Sequence, residues 1–159
     1  MTAAFIQAVL DGRRAEAAGL LGVTIPDDWP DEDDRYLSLW HKDMIDAPQF
    51  AKWRARVLVA IEGDARMMGH AGFHGPPNED DMVEMGYTVF PEFRGRGLAT
   101  EAARRLMDFA KENGAKRIRA SVSPDNAPSL AMTRKLALVR IGEQMDEIDG
   151  LELVFEREL

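Results

Sequence analysis

The stretch Gly86-Tyr87-Thr88-Val89-Phe90-Pro91-Glu92-Phe93-Arg94-Gly95-Arg96-Gly97-Leu98-Ala99-Thr100 decides how the chain is read. Residues 82 to 90 alternate: Val83, Met85, Tyr87 and Val89 fall on one side, and Met82, Glu84, Gly86, Thr88 and Phe90 on the other, which is the period of a strand. Pro91 has no N–H to donate, so the ladder stops there. Farther on, Leu98, Ala102, Leu106, Phe109 and Ala110 draw one apolar helical stripe that Gly114 ends. Two glycines stand at the junction, Gly95 and Gly97. They let the backbone come close to a ligand, while the helix behind them offers unpaired N–H groups and the positive end of its dipole. Such a corner suits an anion. Arg94 and Arg96 add charge fitted to a diphosphate; the competing reading is a glycine turn with solvated arginines. Two familiar phosphate motifs fail here. A P-loop needs a lysine after its last glycine, and a dinucleotide fingerprint needs a small residue where Thr100 stands and an acid about 20 residues on, near Arg117.

Working outward, the first 21 residues carry Phe5, Ile6, Val9, Leu10, Ala17, Leu20 and Leu21 at helical spacing, and Gly12 divides them into two short helices, with Asp11 as a cap for the second. Asp27 to Asp34 is an acidic loop that Pro26 and Pro30 keep from being helical. A helix bearing Tyr36, Leu37, Trp40 and Met44 follows and ends at Pro48. Strands are predicted over 56–61 and 67–73, turned at Gly63-Asp64, then 82–90, 116–122, 138–147 and 151–158, with a short helix over 126–136. This order predicts one domain, 1–159, with an α/β (α+β) architecture: a mixed, mostly antiparallel central sheet flanked by helices. Helical spacing begins by Ala3, so no first strand precedes residue 56. The strand at 56–61 is then an edge that needs covering, by a partner subunit in a homodimer or by the acidic loop.

Composition narrows the function. A net charge of −8 and the absence of any Lys/Arg run argue against nucleic acid and favour a cationic small molecule or peptide. With no cysteine, disulfide scaffolds, thiolate–zinc sites and cysteine acyl-enzymes are excluded. No run of about 18 apolar residues and no signal peptide is read, so the expectation is a soluble cytoplasmic protein without a membrane partner. His70 and His74 lie about 13 Å apart on a strand, too far to share one metal, and no metal site is read. Each could touch substrate or simply pack, and His41 is placed on a helix surface. The methionines are read as adaptable core filling. Trp29, Trp40, Trp53 and Tyr36 either line an acceptor cleft rimmed by the acidic loop or pack helices on the sheet.

The run from Gly86 to Thr100 resembles the acetyl-CoA signature of the GNAT superfamily of N-acetyltransferases. There an Arg or Gln is followed at the third and fifth positions by Gly and by Gly or Ala, here Arg94, Gly97 and Ala99. Asn126-Ala127-Pro128-Ser129 resembles the family's second cofactor element, and the likeness runs from about 55 to 158, with a flavour of the small bacterial ribosomal-protein N-terminal acetyltransferases. The resemblance implies acetyl-CoA as cosubstrate and no metal. The N–H groups of Gly95, Arg96, Gly97, Leu98, Ala99 and Thr100, with Arg94, would hold the pyrophosphate. The main chain of Tyr87, Thr88 and Val89 would pair with the pantetheine amides like an added strand. Asn126 would bond the pantetheine arm, and an N–H near Val89 would polarise the thioester carbonyl, a contact worth roughly 3 kcal/mol where such donors have been removed.

Acetyl transfer needs a neutral amine, and an alkylamine is mostly protonated at neutral pH. Glu84 is an acid inside a strand that reads as central, and the family often places a glutamate here. It is therefore either the general base, through a water chain, or a sheet-edge carboxylate paired with Arg or Lys. Where many family members carry a tyrosine to protonate the departing thiolate, this chain has Thr133, so water or no dedicated acid is expected. Ala137-Leu138 replaces the usual Gly-Phe ending of that helix. These residues predict direct transfer from acetyl-CoA to a small amine or a peptide N-terminus. The alternatives are a catalytically silent CoA-binding module and a nucleotide-phosphate binder.

Overall fold

Alternation becomes strand and 3.6-residue spacing becomes helix along nearly the whole chain. The computed structural model describes residues 1–31, 36–60 and 63–159. Its elements are α1 (Ala3–Leu10), α2 (Arg14–Leu21), α3 (Tyr36–Asp46), β1 (Arg56–Ala60), β2 (Arg66–Phe73), β3 (Met82–Val89), α4 (Leu98–Glu112), β4 (Arg117–Val122), α5 (Ala127–Lys135), β5 (Val139–Asp146) and β6 (Gly150–Glu158). Pro48 does end α3, and it also opens a 3-10 segment, Pro48–Trp53, which the sequence reading leaves unassigned. Asp11 does not cap α2. It is the C-cap of α1, its carboxylate is taken by Arg13 and Gln7, and Arg13 stands in the N-cap place without a side-chain bond. The reason is spacing: Gly12 turns the chain with φ +72°, and the helix begins at Arg14, two residues later than an Asp11 cap requires.

The strands form a six-stranded sheet in the order β1-β2-β3-β4-β6-β5. β3 and β4 are parallel from Met82↔Arg117 to Glu84↔Arg119. β4 and β6 are antiparallel from Arg117↔Glu158 to Val122↔Leu153, and β5 and β6 are antiparallel with a register shift between Arg140 and Gly142. No strand precedes β1 among the described residues; only an isolated parallel bridge, Thr24 with Arg66, stands ahead of it. β1 is the outermost strand, and the loop expected to cover it runs into residues 32–35, outside the described residues, as does Ile61 at the strand's expected end.

Two compact units divide the contacts, Met1–His70 and Ala71–Leu159. In the first, Phe5, Ile6, Trp29, Leu37 and Trp53 are buried. Phe5 stacks on Trp29 at 6.1 Å, and the His70 ring lies 6.3 Å from Trp29 and edge-on to Trp40 at 5.4 Å. Trp29, Trp53 and His70 are thus core residues of this unit, while Tyr36 and Trp40 stack on each other half-buried. In the second unit β4 alternates strictly: Ile118, Ala120 and Val122 are buried, Arg117, Arg119 and Ser121 only half so. The apolar stripe of α4 (Ala102, Ala103, Leu106, Met107, Ala110) is buried, α4 touches β3 and α5 touches β4, and Phe73 stacks on Phe109 at 6.1 Å.

The end of α5 carries strain. Leu138 donates its N–H to the Thr133 carbonyl (2.9 Å) and Ala137 to that of Arg134 (3.1 Å), the paired bonds of a Schellman cap. Ala137 occupies the left-handed position with φ +55°, where a Cβ crowds the carbonyl. Ala137→Gly is expected to stabilise the protein by about 0.5–1 kcal/mol, the strain relieved less the added freedom of the unfolded glycine. A thermal melt followed by circular dichroism should rise by roughly 2 °C; a lower melting temperature would contradict the strain.

Candidate active site

β3 and β4 stay bonded only as far as Glu84 and Arg119. β4 continues to Val122 alongside β6, and β3 continues to Val89, so from Met85 onward the two parallel strands have parted. Glu84 gives its carbonyl to the His74 N–H (2.9 Å), on the β2 side. The backbone groups of Met85, Tyr87 and Val89, alternating with it, therefore point into the gap beside β4. Arg94 Nε donates to the Val89 carbonyl (2.9 Å), which leaves the Val89 N–H and both main-chain groups of Tyr87 for a strand-like partner.

Glu84 stands at the vertex of this fork, half-buried. Ser121 Oγ donates to its Oε1, Gln144 Nε2 donates to Ser121 Oγ (3.2 Å), and the same nitrogen donates to Glu152 Oε2 (3.0 Å). Arg119, level with Glu84 on β4, is turned away to Glu156 at 2.9 and 2.7 Å. β3 is an interior strand and Glu84 has no ion pair among the described residues, so its reading as a paired edge carboxylate does not hold. His70 and His74 differ in kind. His70 is core, whereas His74 is exposed just past β2, with its Nε2 only 3.1 Å from where a Cβ on Gly86 would lie. A side chain at position 86 would have to push that exposed ring aside by a few tenths of an ångström. Thr88 lies half-buried on the Glu84 side of the strand.

Past Val89 the chain enters the glycine corner. Gly95 and Gly97 have φ +77° and +80°, and a Cβ on either would meet nothing within 4 Å. Conformation, not crowding, demands glycine here. Gly97 is the N-cap of α4 and brings no side chain to cap it; the first bond into the corner is Glu101 N–H to the Gly97 carbonyl, 3.1 Å. The N–H groups of Leu98, Ala99 and Thr100 precede that bond and face no helical acceptor. Arg96 donates to the Glu92 carbonyl (3.1 Å) and lies over Phe93 at 5.6 Å, so both arginines also brace the turn. Asn126 is the N-cap of α5. Its Oδ1 accepts from the Ser129 N–H (3.1 Å), which leaves its amide hydrogens as donors. Tyr87 Oη donates to Ser129 Oγ (2.7 Å), and burial holds the Tyr87 phenol above its ordinary pKa against that bond. Thr133 is fully buried with its hydroxyl committed to the Leu130 carbonyl (2.9 Å).

A parted parallel pair, a left-handed glycine corner and a helix N-terminus stand together in one unit, and residues 23–139 match the family model described as an acetyltransferase (GNAT) domain. The chain belongs to the GNAT acetyltransferases. It is similar to the uncharacterized N-acetyltransferase p20 of Bacillus licheniformis, 28% identical over 55% of this chain and 49% of that protein. It is also similar to the uncharacterized N-acetyltransferase YjdG of Bacillus subtilis (strain 168), 25% identical over 75% and 71%. The chain thus spans about half the length of the first of these and about seven tenths of the second. The solved ribosomal-protein-S5-alanine acetyltransferase of Vibrio fischeri shares the fold, with a TM-score of 0.62 at 18% identity over 79% of this chain and 69% of that one.

GNAT acetyltransferases take acetyl-CoA as cosubstrate, and this GNAT fork has chemistry to suit it: backbone groups bare along one side of β3, and N–H groups bare at α4. Among the described residues no group of three or more His, Cys, Asp or Glu is placed to hold a metal, and no helix is long and apolar enough to cross a membrane. Sequence reasoning missed Ser121, Gln144, Glu152 and the Tyr87–Ser129 pair. For the first three the only signal is that each falls on a half-buried position of an alternating strand. Burial, with the charges of Glu84, Asp146 and Asp149 adding and the Gln144 bond opposing, pushes the Glu152 carboxyl above its ordinary pKa. Asp146 is held below its own by the N–H groups of Asp149 and Ile148.

Gly97→Val should abolish acetyl-CoA binding, because a β-branched residue cannot keep φ near +80°. In a thermal-shift titration the wild type at 100 times Kd gains about 2.7 kcal/mol and the variant should gain none. A pH effect follows at Glu152. Its raised pKa means the ionised form is disfavoured in the folded state, a cost present at neutral pH and absent once the pH falls below 4.5, its ordinary value. Glu152→Gln should therefore melt above the wild type at pH 7, with the difference closing under acid. A constant difference across that range would show another origin.

Proposed function

We propose that this chain is an acetyl-CoA-dependent N-acetyltransferase that passes an acetyl group to a primary amine, either a small amine or a peptide or protein N-terminus, by direct attack in a ternary complex. Residues 1–159 act as one GNAT domain, and its setting is the cytoplasm. The observation that carries this reading is Glu84 at the vertex of the β3–β4 fork, with the bare main chain of Tyr87 and Val89 beginning three residues on.

Acetyl-CoA would supply an acetyl group activated as a thioester. Leu98, Ala99 and Thr100 would hold its diphosphate through peptide N–H groups, with Arg94 and Arg96 adding charge. Tyr87 and the Val89 N–H would hold the arm as a strand holds its neighbour, and the Asn126 amide would donate to it. The Val89 N–H also lies on the side of β3 where the thioester carbonyl would gain negative charge, and a donor preset there lowers the barrier. Glu84 removes the proton from the acceptor ammonium, freeing its lone pair. Glu152 and Asp146 lie on the same face of the sheet as Glu84, and their negative charge favours a cationic acceptor. Thr133 has no proton to give outward, so as the C–S bond breaks the departing thiolate, with pKa near 8.5, takes up through water the second proton that the attacking nitrogen sheds.

That same committed threonine favours one other reading, a GNAT fold that binds CoA and does not turn over. Thiol release from acetyl-CoA across a panel of diamines and peptides with free N-termini separates the two. Glu84→Gln should lower kcat roughly a hundredfold or more, most at low pH where the amine is fully protonated, and leave the acetyl-CoA thermal shift intact. Unchanged turnover removes Glu84 from the mechanism.

A further inference from the structure

Resting on the reading of Glu84 as the base, we propose that Ser121 and Gln144 are its positioning residues, a two-member brace that aims the carboxylate without carrying its proton. Hydrogen-bond chemistry sets the direction of every link. Gln144 Nε2 lies 3.0 Å from Glu152 Oε2 and 3.2 Å from Ser121 Oγ. A carboxylate only accepts, so the atom facing Glu152 is the amide nitrogen, and its two hydrogens go one to Glu152 and one to Ser121. Ser121 Oγ is thereby an acceptor toward Gln144, and its single hydrogen is left for Glu84 Oε1. One oxygen of Glu84 is held, and the other, Oε2, has no hydrogen-bond partner among the described residues and is left to the acceptor.

The same directions exclude a proton wire. To pass a proton from Glu84 toward Glu152, the chain would have to run it through the Gln144 amide, which donates at both of its contacts and has no acceptor in the line. The proton that Glu84 takes therefore leaves to solvent, and the network serves geometry alone. The elements make the brace stiff. Glu84 is on β3, Ser121 on β4 beyond the last β3–β4 pair, Gln144 on β5, and Gln144 is directly opposite Glu152 in the β5–β6 ladder. The brace crosses the sheet just past the last β3–β4 pair, so side chains go on tying Glu84 to β4 and β5 where the β3–β4 ladder ends. Misplacing a reacting group by about 1 Å can cost a hundredfold in rate, which is the scale at which such a brace matters.

The test compares Ser121→Ala, Ser121→Thr, Gln144→Glu and Glu84→Gln. Ser121→Ala should lower kcat tenfold or more while leaving KM for acetyl-CoA unchanged, and Ser121→Thr, which keeps the hydroxyl on a strand, should restore it. Gln144→Glu turns a donor into an acceptor, so the Ser121 hydroxyl is drawn away from Glu84 and kcat should fall as in Ser121→Ala. In the Glu84→Gln background, Ser121→Ala should add nothing, because both act through one group. A wild-type kcat in Ser121→Ala, or an additive loss in the double variant, overturns the brace while leaving Glu84 as base. Glu84→Gln with full activity overturns the base and the brace together. Crystal structures of wild type and Ser121→Ala give a readout that needs no acceptor: the Glu84 carboxylate should change rotamer or become disordered in the variant, and an unmoved carboxylate overturns the proposal.

Discussion

The parting of β3 from β4 after the Glu84↔Arg119 pair is the constraint on which the rest depends. A strand inside a sheet normally has both edges bonded, and a buried backbone N–H or C=O left unmatched costs about 1–3 kcal/mol. From Met85 to Val89, β3 keeps its β2 side and gives up the β4 side, so something other than a strand must meet those groups. Arg94 already meets one, the Val89 carbonyl, reaching back from five residues on. The neighbouring groups at Tyr87 and Val89 have no strand across from them, the situation in which an extended chain with amides can be met as a strand is met.

The sheet of the second unit separates packing from chemistry by parity. On β4, Ile118, Ala120 and Val122 are buried while Arg117, Arg119 and Ser121 are half-exposed, and on β3, Val83 and Met85 are buried while Glu84, Gly86 and Thr88 are not. Charged and hydrogen-bonding side chains can accumulate on the second face because the first already supplies the apolar burial that holds the strands. On that face cation and carboxylate are sorted by row. Arg119 faces Glu156 squarely across the β4–β6 ladder and is engaged there, which keeps a guanidinium from the Glu84 carboxylate. Had Arg119 paired with Glu84 instead, that carboxylate would have been masked by a charge it could not shed.

Local signals told the fold well. The alternation from Met82 to Phe90, the stop at Pro91, the glycine corner and the stripe of α4 need only neighbours in sequence, and each stands in the structure within a residue or two. The Asp11 cap failed because a cap depends on the helix starting at the next residue, and the left-handed Gly12 moved that start. The 3-10 segment after Pro48 is short and irregular, with no period to reveal it. The left-handed corner at Gly95 and Gly97 and the Asn126 cap were legible because they depend on neighbours in sequence, and the contacts among side chains from distant strands were obscure. Ser121, Gln144 and Glu152 meet only because β4, β6 and β5 pair in one register, and a register is a tertiary fact that alternation alone does not specify. His70 shows the converse: its place on the strand was readable, but not the walls of Trp29 and Trp40 that make it a core residue.

The chain carries a net charge of −8, and β3 shows how regions of opposite local charge can coexist on it. Glu84, Glu152 and Asp146 make one region of the sheet face negative, whereas the corner after Val89 presents Arg94, Arg96 and the N-terminus of α4. From Glu84 to Val89 the strand runs about 16 Å. At physiological ionic strength the Debye length is about 8 Å, so charges at the two ends are largely screened from each other wherever water reaches them. Each end then keeps its own local potential, and the net charge of the chain says little about the corner, where peptide dipoles act at short range. Overall charge reports on solubility and on the remote field, and the local potential at the corner is set by backbone geometry that composition does not record.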